Sequence, residues 1–199
     1  MGGDDEVDGA DDRQEVERAV RGERRAVETL YARYRRPLLG FLRRQCGDAA
    51  TADDVFQEVW LKVWTRLDRY RPEQGEFRAW LYRVAANAAH DRRRRDRVRA
   101  ADSLDHGRDP DAEAPIARLA EPGADPGRAG DARLDWSRVR RTMEALPEAR
   151  RTAILLRHHQ GFSYAEIGTI LDVPEGTAKT LVHRGLKDLR RRLGTEATA

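Results

Sequence analysis

A helix-turn-helix is predicted by residues 163–189, which read SYAEIGTILDVPEGTAKTLVHRGLKDL. Ser163 suits the N-cap of a first helix, and Glu166 three positions later completes a capping box. The Asp-Val-Pro sequence at 172–174 breaks this helix. Its proline suits the first turn of the next helix, because a backbone N–H there would have no hydrogen-bond partner within the helix. A second helix is therefore expected from about Glu175.

This second predicted helix has an apolar side and a polar side. Its apolar positions, which should pack inward, are Ala178, Leu181, Val182, Leu186 and Leu189. The opposite side carries residues that can reach phosphates and base edges in the major groove of DNA. These duplex-binding candidates are Glu175, Thr177, Lys179, Thr180, His183, Arg184 and Lys187. The pattern indicates that this part of the chain binds nucleic acid.

The composition favours small cores and amphipathic helices, because 39% of the 199 residues are hydrophobic and 37% are charged. Acidic residues crowd the first twelve positions and 102–131, whereas basic residues crowd 13–44, 83–99 and 138–192. All but three of the 38 basic residues are arginine. Arginine suits bidentate contacts with phosphate and guanine, although a GC-rich genome produces the same bias.

Several classes of protein and of site are excluded by the sequence. Cys46 is the only cysteine, so neither an intrachain disulfide nor a thiolate zinc cluster is possible. No apolar run approaches the roughly 20 residues that cross a bilayer, and the acidic N-terminus does not resemble a signal peptide. No catalytic Ser/His/Asp set, phosphate loop or zinc spacing is present. We therefore expect a soluble, cytoplasmic chain with no enzyme activity, metal or cofactor.

Helical periodicity predicts an all-α protein of two helical lobes joined by a flexible linker. The first lobe covers residues 15–99, and the second, which contains the helix-turn-helix, covers 133–193. Residues 100–132 are rich in Asp, Ala, Gly and Pro, so they cannot bury enough apolar surface to order themselves and are predicted to be the linker. The acidic residues 1–14 are expected to form a disordered tail, and 194–199 a short C-terminal tail.

An acidic cluster lies on a predicted helix for which Thr51 is the expected N-cap. It contains Asp53, and its Asp54, Gln57 and Glu58 share one face of the helix. Three interpretations are open. The acids could be solvated residues favoured by the N-terminal dipole, or the metal-binding face of a helical enzyme, which would want a second acidic or His-bearing helix. They could also form a docking surface for a basic partner.

Aromatic residues and arginines are interleaved between positions 70 and 87. Aromatic rings stack on unpaired bases while arginines hold the strand, a combination suited to capturing a flipped base. The alternative is that Phe77 and Trp80 belong to the core. The single-strand-binding candidates are Tyr70, Arg71, Arg78, Arg83 and Asn87. Of these, Tyr70, Arg71 and Asn87 are expected in a loop or on an exposed face.

The first lobe resembles region two of the bacterial sigma-70 family, most closely in its small extracytoplasmic-function members. Gly-Glu at 22–23 and LYARY at 30–34 resemble the start of that region. The family's polymerase-binding helix resembles ADDVFQEVW at 52–60, and the element that opens the −10 promoter box resembles FRAWLYRVAAN at 77–87.

The second lobe resembles region four of the same family. The similarity lies in Leu-Pro at 146–147, YAEI at 164–167 and GTAKT at 176–180. Two departures concern the recognition helix: Pro174-Glu175 replaces a pair of small residues, and Thr180-Leu181 replaces Ser-Arg. Arg184 is therefore expected to carry more of the DNA anchoring. Gly168 replaces a common alanine, at a cost of about 1 kcal/mol in helix propensity.

The resemblance implies a sigma factor that directs core RNA polymerase to specific promoters and initiates transcription. Asp54, Gln57 and Glu58 would dock on a coiled coil of the largest polymerase subunit, and the second lobe would contact the flap. The single-strand candidates would bind the −10 element and the duplex candidates the −35 element. An anti-sigma factor would occlude both lobes.

Two other functions are compatible with parts of the sequence. A two-domain transcription regulator could use the same helix-turn-helix, but it would not need the acidic face or the aromatic–arginine stretch. A metal-dependent helical enzyme could be built on Asp53, Asp54 and Glu58.

Overall fold

The computed structural model describes residues 9–71, 73, 75–105 and 138–195. The described residues contain helices and turns but no strand, which confirms the all-α prediction. The helices are α1 (Gly9–Val20), α2 (Arg24–Cys46), α3 (Ala49–Arg66), α4 (Phe77–Asp105), α5 (residues 138–144), α6 (Glu148–Ile154), α7 (Tyr164–Leu171) and α8 (Glu175–Thr195). A 3-10 turn, Leu67–Arg69, follows α3, and a π-helical turn, Leu155–His159, extends α6. None of the described helices is long and apolar enough to span a membrane.

Helices α1 to α4 form the first lobe around a core of aliphatic and aromatic side chains. Gly47 ends α2 in the left-handed conformation, at φ 90°, where glycine is favoured. Asp48 then caps α3 by accepting a hydrogen bond from the Thr51 amide at 2.8 Å. Thr51 was expected to be the capping residue, but it supplies the N–H group instead. The buried side chains that pack the three longest helices together include Tyr34, Leu38, Phe41, Val55, Val59 and Leu81.

Two predicted boundaries of the first lobe are wrong. The disordered tail was predicted over residues 1–14, but α1 begins at Gly9, and Asp12 within it is only 1% exposed. The linker was predicted from residue 100, but α4 continues to Asp105. The remainder of the predicted linker, 106–132, lies outside the described residues, as do 1–8 and 196–199.

The helix-turn-helix of the second lobe has the local chemistry that its sequence predicts. The Ser163 hydroxyl accepts from the Glu166 amide at 3.2 Å, and the Glu166 carboxylate accepts from the Ser163 amide at 2.7 Å. Asp172 ends α7 in the left-handed conformation, at φ 55°, and α8 begins at Glu175. The capping box and the break between the helices are therefore confirmed.

Gly168 is required by the close approach of α7 to the turn that follows it. A Cβ added at this position would lie 2.8 Å from the Val173 carbonyl oxygen and 3.4 Å from the Glu175 amide nitrogen. Backbone atoms of a tight turn move only at a cost, so the helix propensity lost with glycine is offset by packing that a larger residue would disturb.

The two lobes are packed against each other, a contact that the sequence analysis did not anticipate. The Gln45 amide on α2 donates to the Thr152 hydroxyl on α6 at 2.8 Å. Phe162, which precedes α7, is fully buried and meets Tyr82 of α4 with ring centroids 5.1 Å apart. The apolar core is therefore continuous from one lobe to the other.

Candidate nucleic-acid interface

Helix α8 presents its polar side to solvent. All seven duplex-binding candidates are exposed, and Ala178 and Val182 on the opposite side are fully buried. Gly185 lets α8 lie close to α6, because a Cβ there would approach Ile154 Cδ1 to 2.7 Å. An ion pair between Arg150 and Asp188 joins the same two helices. The exposed polar side of α8 is therefore supported by close packing of α8 against α6.

The seven exposed side chains differ in how free they are to reach DNA. The Thr180 hydroxyl donates to the Gly176 carbonyl at 2.8 Å, within its own helix. The His183 ring lies 6.3 Å from the ring of Tyr164 at an angle of 30°. Lys179, Arg184 and Lys187 provide the positive charges of this surface. These three cations are suited to phosphate or guanine contacts.

A small cleft in the first lobe collects three of the five single-strand candidates. Tyr70, Arg71 and Arg83 line it together with Trp80. The Arg71 guanidinium is held over the loop by a 2.6 Å hydrogen bond to the Asp68 carbonyl. Ring centroids of Tyr70 and Trp80 are 5.9 Å apart. The cleft thus combines aromatic surface with two guanidinium groups, which is the chemistry that binds a base and its phosphate, although as closed here the cleft is too small to admit a base.

Tyr70 does not occupy the exposed position expected for it. It is 8% exposed, its hydroxyl donates to the Gly75 carbonyl at 3.1 Å, and its ring meets Phe77 at 89° with centroids 5.8 Å apart. The Phe77 ring is fully buried, as its core interpretation predicts, whereas Trp80 is only partly buried. Trp80 is thus the aromatic residue of the cleft that retains free surface.

The other two single-strand candidates lie outside the cleft. Asn87 is exposed further along α4. Arg78 is half-buried at the junction of the lobes, where it donates to the Gln160 carbonyl and covers the Phe162 ring at 4.0 Å. The structure therefore assembles Tyr70, Arg71 and Arg83 at one place and directs Arg78 towards the second lobe.

The acidic face of α3 is exposed and has charged neighbours on α4. Asp54 and Gln57 are exposed, and Asp54 pairs with Arg92 at 3.3 Å. Glu58 pairs with Lys62 at 2.7 Å and with Arg95 at 3.4 Å. Burial acts to raise the pKa of the Glu58 carboxyl, but the hydrogen bonds and charges of Lys62 and Arg95 outweigh it and hold that pKa below its ordinary value. Glu58 is therefore ionised at neutral pH.

Two apolar residues that were not among the predicted site residues extend this face. Leu61 is 62% exposed and Trp64 50% exposed, although both are large and hydrophobic. Their spacing from Gln57, at i+4 and i+7, already places them on the same side of the helix. Among the described residues, no group of three or more His, Cys, Asp or Glu is arranged to hold a metal ion. The face thus combines acidic side chains with two exposed apolar ones.

Sequence profiles of known families match both lobes. The profile of Sigma-70 region 2 matches residues 30–99, and the profile of Sigma-70, region 4 matches residues 136–189. The RNA polymerase sigma-H factor of Pseudomonas aeruginosa is 34% identical over 179 residues, which cover 87% of this chain and 89% of that protein. The chain belongs to the sigma-70 family, in its extracytoplasmic-function group. It is a sigma factor for promoter-specific initiation of transcription.

Further relatives of this sigma factor are similar over most of their length. The RNA polymerase sigma factor CarQ of Myxococcus xanthus is 34% identical over 182 residues, covering 90% of this chain and 95% of that protein. The ECF RNA polymerase sigma-E factor of Escherichia coli K12 is 32% identical over 178 residues, covering 85% and 87%.

Solved structures share the fold of this sigma factor. CnrH, in complex with the cytosolic domain of CnrY, has a TM-score of 0.67 at 24% identity and covers 93% of this chain and 98% of its own. RpoE of Bartonella quintana, in complex with the anti-sigma factor NepR, has a TM-score of 0.61 at 24% identity and covers 79% and 89%.

Proposed function

We propose that the first lobe of this sigma factor binds core RNA polymerase and opens the −10 element, while the second lobe recognises the −35 element. The α3 face carries this proposal, because a regulator that only binds DNA has no need of an acidic face beside the exposed Leu61 and Trp64. Asp54, Gln57 and Glu58 would meet a basic coiled coil of the largest polymerase subunit. Complementary charge of this kind sets the rate and the register of association.

The DNA contacts follow from the two surfaces described above. Opening DNA costs unstacking energy, which a captured base offsets by stacking in a cleft such as that of Tyr70, Arg71, Trp80 and Arg83. Asn87 and Arg78 would contact the same strand along α4. Duplex recognition needs only a groove-sized helix, which α8 provides with its exposed polar side.

The remaining parts of the proposal concern partners and location. The second lobe would also contact the polymerase flap, and an anti-sigma factor would cover both lobes. The chain would act in the cytoplasm, where polymerase is, and would need no cofactor or catalytic chemistry of its own. Helices α1 to α4 and α5 to α8 would correspond to the two functional regions.

Charge reversal on α3 tests the polymerase contact. In the Asp54→Lys, Glu58→Lys variant, repulsion replaces attraction, and like charges at an interface cost several kcal/mol. We expect this variant to remain folded but to lose co-purification with core polymerase and all promoter opening. Its α8 should still bind duplex DNA, because α8 is not altered.

The structure supplies a matched control for this experiment. The reversal also breaks the pairs with Lys62, Arg92 and Arg95, so the Lys62→Ala, Arg92→Ala, Arg95→Ala variant breaks the same pairs and leaves the acids in place. It should keep polymerase binding in a pull-down assay. If the folded reversal variant kept full polymerase binding, the assignment of α3 would be wrong and a DNA-binding regulator would be favoured.

A further inference from the structure

Arg78, one of the single-strand candidates, lies at the centre of the contact between the lobes. Arg78 donates to the Gln160 carbonyl, and its guanidinium lies 4.0 Å from the centre of the Phe162 ring. The Tyr82 hydroxyl donates to the Gln160 side-chain oxygen. Burial raises the pKa of the Tyr82 hydroxyl, so this group keeps its proton and remains a donor. These four residues, Arg78, Tyr82, Gln160 and Phe162, are called the interlobe latch below.

Polar contacts on another side of α4 support the same arrangement. The Thr152 hydroxyl accepts from Gln45 at 2.8 Å and lies 3.3 Å from His90 Nε2. Arg97 pairs with Glu148 at 3.1 Å. Contacts from α2 and along α4 therefore hold the second lobe in a defined orientation on the first.

The orientation affects the two DNA-binding surfaces differently. Thr169 of α7 lines the cleft formed by Tyr70, Arg71, Trp80 and Arg83, so the second lobe approaches the place where a base would enter. Arg78 is engaged with Phe162. The polar side of α8, in contrast, is exposed in the same structure. One surface is thus obstructed while the other is accessible.

We propose that the interlobe latch is an autoinhibitory contact, which closes the single-strand surface of the free chain and leaves the duplex-binding helix α8 open. This inference rests on the proposed function, because it takes the cleft and Arg78 as the single-strand surface. Separation of the lobes, as polymerase binding would produce, exposes Arg78 and the cleft together.

The closed contact is built to open. Among the described residues, Gln45 Oε1 at this contact is buried and has no hydrogen-bond partner. Each buried polar atom without a partner destabilises the state that buries it. The stacking of Arg78, Tyr82 and Phe162 opposes this cost. Because the unpaired polar atom and the stacking have opposite effects on stability, the closed state is weak enough for a binding partner to separate the lobes.

Two conservative substitutions should weaken the contact between the lobes without unfolding either lobe. Tyr82→Phe leaves the ring in the core but removes the donor to Gln160, and Thr152→Val keeps the shape of the side chain but removes the acceptor of Gln45. Tyr82 lies within the 77–87 segment but is only 1% exposed, and neither residue is one of the single-strand, duplex or polymerase candidates. The matched control is Tyr34→Phe with Thr29→Val, which removes hydroxyls that bond within the first lobe. Gln160→Ala is a second opening variant that alters only the second lobe.

The full-length opening variants, which are the Tyr82→Phe, Thr152→Val double variant and Gln160→Ala, are compared with the wild type and the control pair. The measurements are small-angle X-ray scattering and fluorescence anisotropy with a labelled oligothymidylate. A binding-competent state that is only partly populated lowers apparent affinity by its population, and two lost hydrogen bonds shift that population by roughly tenfold. We expect the opening variants to have a larger radius of gyration and roughly tenfold tighter oligothymidylate binding. Binding of a duplex fragment should be unchanged, and the control pair should behave as the wild type.

Two results would overturn the latch. One is a wild-type chain that is already as expanded as the opening variants. The other is an expanded variant that binds the oligothymidylate no more tightly than the wild type. Promoter opening with core polymerase and a promoter library, measured in parallel, tests the proposed function separately. If only the latch hypothesis is wrong, promoter opening is still observed. If the proposed function is wrong, neither the wild type nor any variant opens the promoter.

Discussion

Tyr34 donates its buried hydroxyl to the carboxylate of Asp12, which lies 22 residues earlier in the chain. Burial is the main cause that raises the pKa of this tyrosine, with the hydrogen bond to Asp12 next, so the hydroxyl remains protonated. Arg33 forms an ion pair with the other oxygen of Asp12. One acidic residue of α1 thus joins two neighbouring residues of α2 and fixes the N-terminal helix to the lobe.

Removal of this carboxylate should destabilise the first lobe. Asp12→Ala leaves the Tyr34 hydroxyl and the Arg33 charge without their partner, and such losses cost about 2–4 kcal/mol. Thermal or urea unfolding followed by circular dichroism would measure the change. The matched control is Glu17→Ala on the same helix, where the exposed pair with Arg13 at 3.6 Å contributes less than about 0.5 kcal/mol. Equal stabilities for the two variants would contradict the anchoring role of Asp12.

Arg184 is expected to contribute to duplex binding through its charge. If it contacts a phosphate, Arg184→Ala should weaken binding to all sequences and reduce the salt slope of the affinity by about one unit. If it contacts a guanine, the loss should be about 1–3 kcal/mol and confined to one base position. Titrations at several salt concentrations distinguish the two. Arg24→Ala, which removes the same charge from the first lobe, should leave the slope unchanged. Unaltered affinity and slope in the Arg184 variant would exclude it from the interface.

Cys46 should react slowly with alkylating reagents at neutral pH. Burial, followed by the nearby charge of Asp48, raises the pKa of its thiol to about 11. The reactive thiolate is therefore scarce below that pH, and its fraction rises about tenfold for each pH unit. We expect the iodoacetamide rate of the folded chain to climb steadily from pH 8 to pH 10. In guanidinium the same thiol should level off above its ordinary pKa of about 8.5. A folded chain that levels off near this lower value would refute the prediction.

The parts of the fold that could be predicted depend on interactions between neighbours in sequence. The capping box of Ser163 and Glu166 joins residues three positions apart, and the apolar side of α8 follows from helical spacing alone. The same spacing places Asp54, Gln57 and Glu58 together on α3. Such patterns require no knowledge of the tertiary structure. Whether these residues bind polymerase stays a prediction.

The features that were missed depend on distant contacts. Asp12 belongs to an acidic stretch typical of a disordered tail, yet it pairs with Arg33 and Tyr34, and Val16 of the same helix is buried in the core. Tyr70 resembles a loop residue, yet packing against Phe77 buries it. The bond of Arg78 to Gln160 spans 82 positions, so no local periodicity can reveal it. Tertiary packing decides each of these cases.

The contact between the lobes is made within one chain, so its strength does not depend on the cellular concentration of the protein. Residues 106–137 connect the two described parts, and a segment of that length reaches about 110 Å when fully extended. Docking of the second lobe is then governed by an effective concentration that the connection sets, not by how many copies of the chain a cell contains. A separate partner that competes for the same surface acts by mass action, in proportion to its own free concentration. The open fraction of this sigma factor is thereby independent of its own abundance and responds to the abundance of what binds it.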